Sequence, residues 1–434
     1  MRKKFFHFVL PSMLAFAFSG LYSIVDGLFI GRNIGDAGLS AINFAYPLVV
    51  LIQATGTGIG LGGAVGMSIS FGKKDIQSEK KYLGSTLTLL AIACLVLTAF
   101  LLLFMHPILV AFGAKDTVLK YASEYLYWIV LGSSFQILAN GFAPIIRNLK
   151  RPALAMFAMI LGFITNIILD WLFVSVFRYG MKGAAWATII GQFITVLPCL
   201  PFIYKNIRSL ETSDFKPNSK LRASIFSTGL SPFGLAVAPY IILIMMNKFA
   251  MKYGGVQAVA AYSVVSYVVS FIQLLLQGIG DGCQPLISFY TGQKETLKAI
   301  QTRDFAYKFS LAVAGAYAIV VFLLRVQIPI LFGASTEVAK ITAAILPLFC
   351  LTFLFYSFTR VTTSYFYATH QNRLSYFIIY GEPVVILVLL TLILPRIFGI
   401  TGVWLSVPSS QLIAVLLGVF FILKADRYRG VKHS

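Results

Sequence analysis

Charge is scarce in this sequence. Of its 434 residues only 12% are charged and 58% are hydrophobic, about half the charged fraction of an ordinary soluble domain. Acids are scarcer than bases, 15 against 35, which leaves a net charge of +20. There are four cysteines, Cys94, Cys199, Cys283 and Cys350, all inside apolar runs and none in CxxC spacing. They offer neither a disulfide framework nor a metal site. The four histidines, His7, His106, His370 and His433, lie at or near the ends of apolar runs, and none makes HExxH. Gly58, Gly60 and Gly63 satisfy GxGxxG, but no strand–helix unit surrounds them, and Gly66 to Lys74 lacks the spacing of a P-loop. No DDxxD-type acid cluster exists to hold a Mg²⁺–diphosphate. ATP hydrolysis, membrane metalloprotease chemistry and prenyl transfer all lose support. The chain is expected not to be an enzyme, with no cofactor and no bound metal.

What is abundant is long apolar sequence. Twelve runs are long enough to cross a bilayer as helices. They span about 6–31, 39–71, 84–112, 119–147, 152–177 and 183–204, then 223–250, 257–291, 305–332, 338–369, 373–397 and 400–424. The basic N-terminal start precedes an apolar stretch too long for a cleaved leader, so it reads as the first span. The longest polar gap, Lys205 to Arg222, divides the runs six and six. The expected organisation is an N-lobe at 1–204, a cytoplasmic linker at 205–222 and a C-lobe at 223–434.

The two halves repeat. Gly58, Ile59, Gly60, Gly62, Ser68 and Gly72 recur 220 residues later as Gly278, Ile279, Gly280, Gly282, Ser288 and Gly292. Lys74 and Asp75 continue as Lys294 and Glu295, and Phe112–Gly113–Ala114 recurs as Phe332–Gly333–Ala334. Gly180 and Gly183 recur as Gly399 and Gly402, at an offset of 219. Six helices per half make both halves run the same way. The fold class is therefore all-α and polytopic, with two six-helix lobes related by a pseudo-two-fold axis along the membrane normal. Transporters of this build hold substrate near the repeat interface.

Lys and Arg set the orientation. The side with both termini, the linker and the loops at 73–81, 147–151 and 294–308 carries 24 of the 35; the other side carries ten. The richer side is cytoplasmic, so both termini face inward in a cytoplasmic (inner) membrane. The basic excess thus belongs to membrane topology and not to nucleic acid. The linker and the tail from Lys424 to Lys432 are placed to meet anionic lipid.

Four acids lie well inside spans: Asp26, Asp170, Asp281 and Glu382. An acid at such depth costs on the order of 3 kcal/mol and faces protein or a wet cavity. Asn166 and Asp170 are four apart and share one helix face. At the α-helical rise Asp26 lies about 30 Å along its span, Asp170 about 27 Å and Asn166 about 21 Å along theirs. Thr188 lies one to two turns below the outer surface. All four fall in the outer half of the N-lobe. Two carboxylates, an amide oxygen and a hydroxyl are hard ligands, suited to Na⁺ or to a held proton. A plain hydrogen bond from Asp170 to a neighbouring helix is the structural alternative.

Pro11 stands fifteen residues before Asp26 in LPSMLAF…IVDGLFIGR. Gly72, Lys73, Lys74 and Asp75 form a Gly-x-x-Asp at the end of the second run, and GIGDGCQPLISFYTG begins at Gly278. With Asn166, Asp170 and Thr188 in GAAWATIIGQ, these motifs resemble the MATE family, the multidrug and toxic compound extrusion antiporters, in its MepA-like branch. The resemblance covers nearly the whole chain. It implies a first-helix bend at Pro11 and an N-lobe cation site at Asp26, Asn166, Asp170 and Thr188. It also implies a secondary-active antiporter working by alternating access, exporting amphipathic, often cationic compounds in exchange for H⁺ or Na⁺. The other branch uses acids in its seventh and tenth helices; this chain has Met245, Met246 and Asn247, and Arg360, there.

Aromatic, Met and Gln side chains suit varied lipophilic cations. Tyr46, Gln53, Met245, Met246, Gln273, Gln277 and Gln284 are the substrate-cleft candidates, with Asp281 as an unpaired acid that would attract cations. Arg360 and Glu382 lie equally far from Gln371, on two antiparallel spans, and are expected to form an intramembrane ion pair. A monomer that binds small lipophilic cations and membrane lipids is the expected assembly. A lipid-linked oligosaccharide flippase of similar two-lobe build is the alternative, although it needs basic residues in its cavity and only Arg360 lies deep.

Overall fold

Backbone polar groups in a bilayer must be satisfied within the chain, and long apolar runs achieve that as helices. The computed structural model describes residues 2–428, and every regular element among them is helical. The N-terminal half contains α1 (Arg2–Ile34), α2 (Asp36–Gly72), α3 (Ile76–Ala111), α4 (Asp116–Leu131), α5 (Ser133–Asn148), α6 (Pro152–Asp170), α7 (Gly180–Val196) and α8 (Cys199–Ile207). Then come α9 (Ser219–Gly292), α10 (Thr296–Leu323), α11 (Gln327–Leu331), α12 (Thr336–Ala368), α13 (Asn372–Ile379), α14 (Leu387–Phe398) and α15 (Ile400–Tyr428).

Nine helices among the described residues are long and apolar enough to cross a membrane, and two bent pairs, α4 with α5 at 57° and α7 with α8 at 45°, each make a further span. α9 has 74 residues and breaks at Gly255, with φ 66 and ψ −162. Unbroken it would be about 110 Å long, so it holds two spans. The twelve expected spans result. Gly255 is required at that break, because an L side chain rarely adopts such a φ.

Contacts divide the chain into two compact units. The N-lobe is Phe6–Ala236. Its centre is α2, packed on α5, α3 and α4, while α6 packs on α7. Close approach is a glycine matter here: a Cβ on Gly60 would lie 2.4 Å from the Gly141 carbonyl oxygen of α5. The GxGxxG of the sequence is thus a helix-packing surface. The unit ends inside α9 and not in the expected linker. The first turns of α9 are seated in the N-lobe, with the Gly229 backbone against Gly58 and Gly62 and Ser224 hydrogen-bonded to Tyr82 at 2.9 Å. The linker is docked as well. Its short helical turn Thr212–Phe215 packs on α3, where Thr88 Oγ1 donates to the Phe215 carbonyl at 2.9 Å.

The C-lobe runs from Val237 and includes the first residues of α1. Phe5 is fully buried and meets Phe305 and Phe309 edge-on, at 4.8 and 5.9 Å between ring centres. α10 packs on α12, and α12 and α14 pack on α15. Near the end of α15 Arg303 bonds Asp426 at 3.1 Å, with both side chains buried. Lys424 and Arg427 of the expected basic tail fall at the end of α15; Arg429 and Lys432 lie outside the described residues. Outer apolar side chains such as Leu95, Val96 and Leu103 on α3, and Ile319 and Leu323 on α10, are exposed, as a lipid-facing surface requires.

The backbone repeats with the sequence. Positive φ occurs at Gly35 and Gly255, Lys74 and Lys294, Gly113 and Gly333, and Lys150 and His370, every pair 220 apart, and at Gly180 and Gly399. Pro11 stands within α1, where it removes one main-chain donor from the ladder.

Candidate functional site

α6 and α7 cross closely because Gly191 brings α7 to within 2.9 Å of the Asn166 Cβ, measured from where its own Cβ would be. That crossing buries Asn166 and Asp170 on α6 and Thr188 on α7, with Asp170 fully inaccessible. Asp26 comes from α1, and its carboxyl neighbours that of Asp170. The four residues singled out in the sequence are therefore brought together. Two tyrosines complete the wall: Tyr22 and Tyr125 both face the two acids, and Tyr125 stands beside Thr188. Tyr22 is fixed by stacking on Phe163, with ring centres 5.2 Å apart and planes 9° apart. Nothing in the sequence marked these two out among 21 tyrosines.

The hydrogen bonding of the cluster is incomplete. Among the described residues, both carboxylate oxygens of Asp170, both polar atoms of Asn166, Thr188 Oγ1 and Asp26 Oδ1 are buried without a hydrogen-bond partner. Each such atom costs about 1–3 kcal/mol. Adjacent carboxylates in a dry site also repel one another, so at least one ionised form is disfavoured. A proton or a monovalent cation would relieve both costs at once. Directly after Asp170 the helix widens into a π-helical segment, Trp171–Val176, a form that often accompanies functional sites.

In the C-lobe Arg360 and Glu382 do not pair among the described residues. Arg360 donates to Asp281 at 2.5 Å and to Ser364 at 2.9 Å. Tyr367 also donates to Asp281, at 3.1 Å. Equal depth had suggested Glu382 as the partner, but depth says nothing about rotation around the helix axis. Arg360 faces α9, where Gly280 leaves room: a Cβ there would lie 2.6 Å from Ser364 Oγ and 3.3 Å from the Arg360 guanidinium carbon. Glu382 lies in a second π-helical segment, Gly381–Ile386, and accepts from Ser410 of α15 at 3.2 Å.

This also corrects three of the cleft candidates. Asp281 is not an unpaired acid, since it is neutralised inside the C-lobe by Arg360. Gln284 is fully buried and donates to Ser288 on its own helix at 2.9 Å. Met246 is fully buried in the core. Tyr46, Gln53, Met245, Gln273 and Gln277 are each half-buried and keep some accessible surface.

The sequence profile of the MatE family matches residues 11–172 and 237–393. The chain belongs to the MatE family. Among curated relatives, the multidrug export protein MepA of Staphylococcus haemolyticus is 28% identical, over 97% of this chain and 93% of its own length. Among solved structures, this MatE chain superposes with a TM-score of 0.93 on an outward-facing multidrug resistance MATE family transporter of the MOP superfamily. The two are 21% identical, over 99% of this chain and 97% of that one. A MOP superfamily transporter from Pyrococcus furiosus, described as having a binding pocket of reverse polarity and a suggested different function, superposes at 0.92. It is 21% identical, over 100% of this chain and 97% of that one. The shared fold does not choose between those two behaviours; the residues of the site must.

The MatE repeat shows how local the site is. At an offset of 220 the counterpart of Asp26 is Met246. Asp170 falls on Leu389 or Leu390 and Asn166 on Val385 or Ile386, depending on where the offset drops to 219, and Thr188 falls on Val407. Every counterpart is apolar.

Proposed function

We propose that the chain is a secondary-active multidrug efflux antiporter, exporting amphipathic, often cationic compounds in exchange for H⁺ or Na⁺ by alternating access. The observation that carries this reading is the cluster of Asp26, Asn166, Asp170 and Thr188, whose buried oxygens lack partners. Hard oxygens at that depth suit a small cation or a proton. A group that binds either in one conformation and releases it in another converts a gradient into work. The curated relatives named as multidrug export proteins support the substrate class. The flippase alternative needs a free deep base for pyrophosphate, and Arg360 is already paired with Asp281.

In this reading the protein is a monomer in the cytoplasmic membrane with both termini inside, and Tyr46, Gln53, Met245, Gln273 and Gln277 contact the exported compound. Purified protein in vesicles should export ethidium when an inward H⁺ or Na⁺ gradient is imposed and not without one. Gradient-independent movement of ethidium would overturn antiport. A cysteine at Asn218, in a Cys-free background, should resist labelling from outside intact cells, and labelling there would reverse the orientation.

A further inference from the structure

Glu382 is a deep acid that the N-lobe cation site leaves without a task. Its surroundings can be taken element by element. From α12, Tyr356 stands near it, and near Arg360 and the Asp281 of α9 as well. Arg360 is spent on Asp281 and Ser364. From α15 comes Ser410, which among the described residues makes the single hydrogen bond to the carboxyl. The remaining ionisable residues of α15 are Lys424, Asp426, Arg427 and Tyr428, at its inner end. α13 contributes Arg373 and Tyr376, with Tyr380 just after it, and α14 has Arg396 in its last turn. Among the described residues no cation pairs with Glu382, and one hydroxyl serves a carboxylate with room for about four hydrogen bonds.

The matching place in the N-lobe is built without an acid. There α6 and α7 meet backbone to backbone: a Cβ on Gly162 would lie 2.6 Å from the Gly191 carbonyl oxygen, and one on Gly191 2.9 Å from that of Gly162. At an offset of 219 Gly191 corresponds to Ser410, and Gly162 falls on Gly381 or Glu382, depending on where the offset drops from 220. The C-lobe has opened the same crossing. Gly381 next door has nothing within 4 Å of where a Cβ would be. The π-helical segment around Pro383 turns the acid toward Ser410.

The donor set decides what such a site can hold. Na⁺ requires several hard oxygens around it, and a carboxylate with one hydroxyl falls short. A proton requires one oxygen. We propose that Glu382 is a second protonation site, confined to the C-lobe, with Ser410 as its positioning residue. Its use in transport rests on the antiporter reading; the protonation itself does not.

Infrared difference spectra of the purified protein between acid and alkaline pH, in H₂O and in D₂O, test this without transport. A carboxylic-acid C=O band is expected that is absent in Glu382→Gln and retained in Asp170→Asn. Ser410→Ala should keep the band but move both its frequency and its titration midpoint, which a purely structural role for Ser410 would not do. A Glu382→Gln spectrum identical to wild type would overturn the proposal, as would a band insensitive to Ser410→Ala. A protein inert in ethidium efflux would count against the antiporter reading while leaving the spectroscopic result standing, so the two failures are distinguishable.

Discussion

The two lobes share a backbone and differ in polarity. In the N-lobe, α1, α6 and α7 converge on carboxylates, an amide and a hydroxyl that lack partners. In the C-lobe the corresponding positions are Met246, Leu389 or Leu390, Val385 or Ile386, and Val407. The C-lobe places its charges elsewhere, and two of them satisfy each other: Arg360 and Asp281 hold one another, while their N-lobe counterparts are Asn140 and Leu61. Unsatisfied groups gathered at one place in the N-lobe, against a mutually satisfied Arg360–Asp281 pair in the C-lobe, are what separate a site that must bind something from a pair that only holds helices together.

The largest expected effect comes from removing the N-lobe charges. Asp170→Asn and Asp26→Asn should each reduce gradient-driven ethidium efflux in vesicles to the level of empty vesicles, with the protein still folded. Wild-type rates in either variant would erase the functional difference between the lobes.

The next effect is on stability and lies in the C-lobe. Arg360→Asn or Asp281→Leu alone should cost about 3–5 kcal/mol, because each strands a buried charge. The double variant carries the N-lobe residues at both positions and should recover more than half of that loss, read as thermal unfolding in detergent. Additive losses would mean that the pair is not coupled.

A smaller effect tests the glycine packing within the N-lobe. Gly60→Ala sets a methyl against the Gly141 backbone, which cannot swing aside as a side chain can. A loss of about 1–3 kcal/mol is expected, and an unchanged unfolding temperature would show that α2 and α5 can part freely.

The smallest effect compares two helix starts. Asp75 caps α3 by accepting from the Ser78 N–H at 3.0 Å, whereas its counterpart Glu295 makes no such cap and pairs with Lys298 at 2.8 Å. Asp75→Ala should cost about 1 kcal/mol, and Glu295→Ala less. Ser78, through its hydroxyl first and its N–H second, holds the Asp75 carboxyl below its ordinary value. A depressed folded pKa gives stability that is present above the unfolded value and lost as pH falls through the folded one. The difference between wild type and Asp75→Ala should therefore shrink in acid and stay level above about pH 5. A difference that grew in acid would contradict the cap.

Much of this was legible in the sequence, for identifiable reasons. Apolar run length marks a span, and a rare acid inside a run marks a site, so Asp26 and Asp170 stood out at once. The 220-residue repeat was legible because glycines at close helix contacts leave little choice of residue. Four things were hidden. Rotation about a helix axis is not fixed by depth, so Asp281 was missed as the partner of Arg360. The π-helical segments carry no signature beyond Pro383. Tyr22 and Tyr125 look like any other aromatic residues in an apolar run, and only packing gives them their role. The end of the N-lobe inside α9 was hidden too, because the seats of Ser224 and Gly229 are tertiary contacts.

The left-handed punctuation of the backbone also works as a gauge of length. From Gly35 to Lys150 the two copies keep step: Gly35, Lys74, Gly113 and Lys150 each reappear 220 residues on, and Asp116 alone has no left-handed counterpart among the described residues. Between Lys150 and Gly180 there are thirty steps of chain; between His370 and Gly399 there are twenty-nine. The single residue by which the copies differ was gained or lost between these marks, in the interval that holds the span carrying Asp170 in one half and Glu382 in the other. Those same two spans contain the π-helical turns, which carry more residues per turn than an α-helix and so can absorb a change of one without moving the ends. The stretch where the duplicates drifted out of step is the stretch on which each half came to bear its own acid.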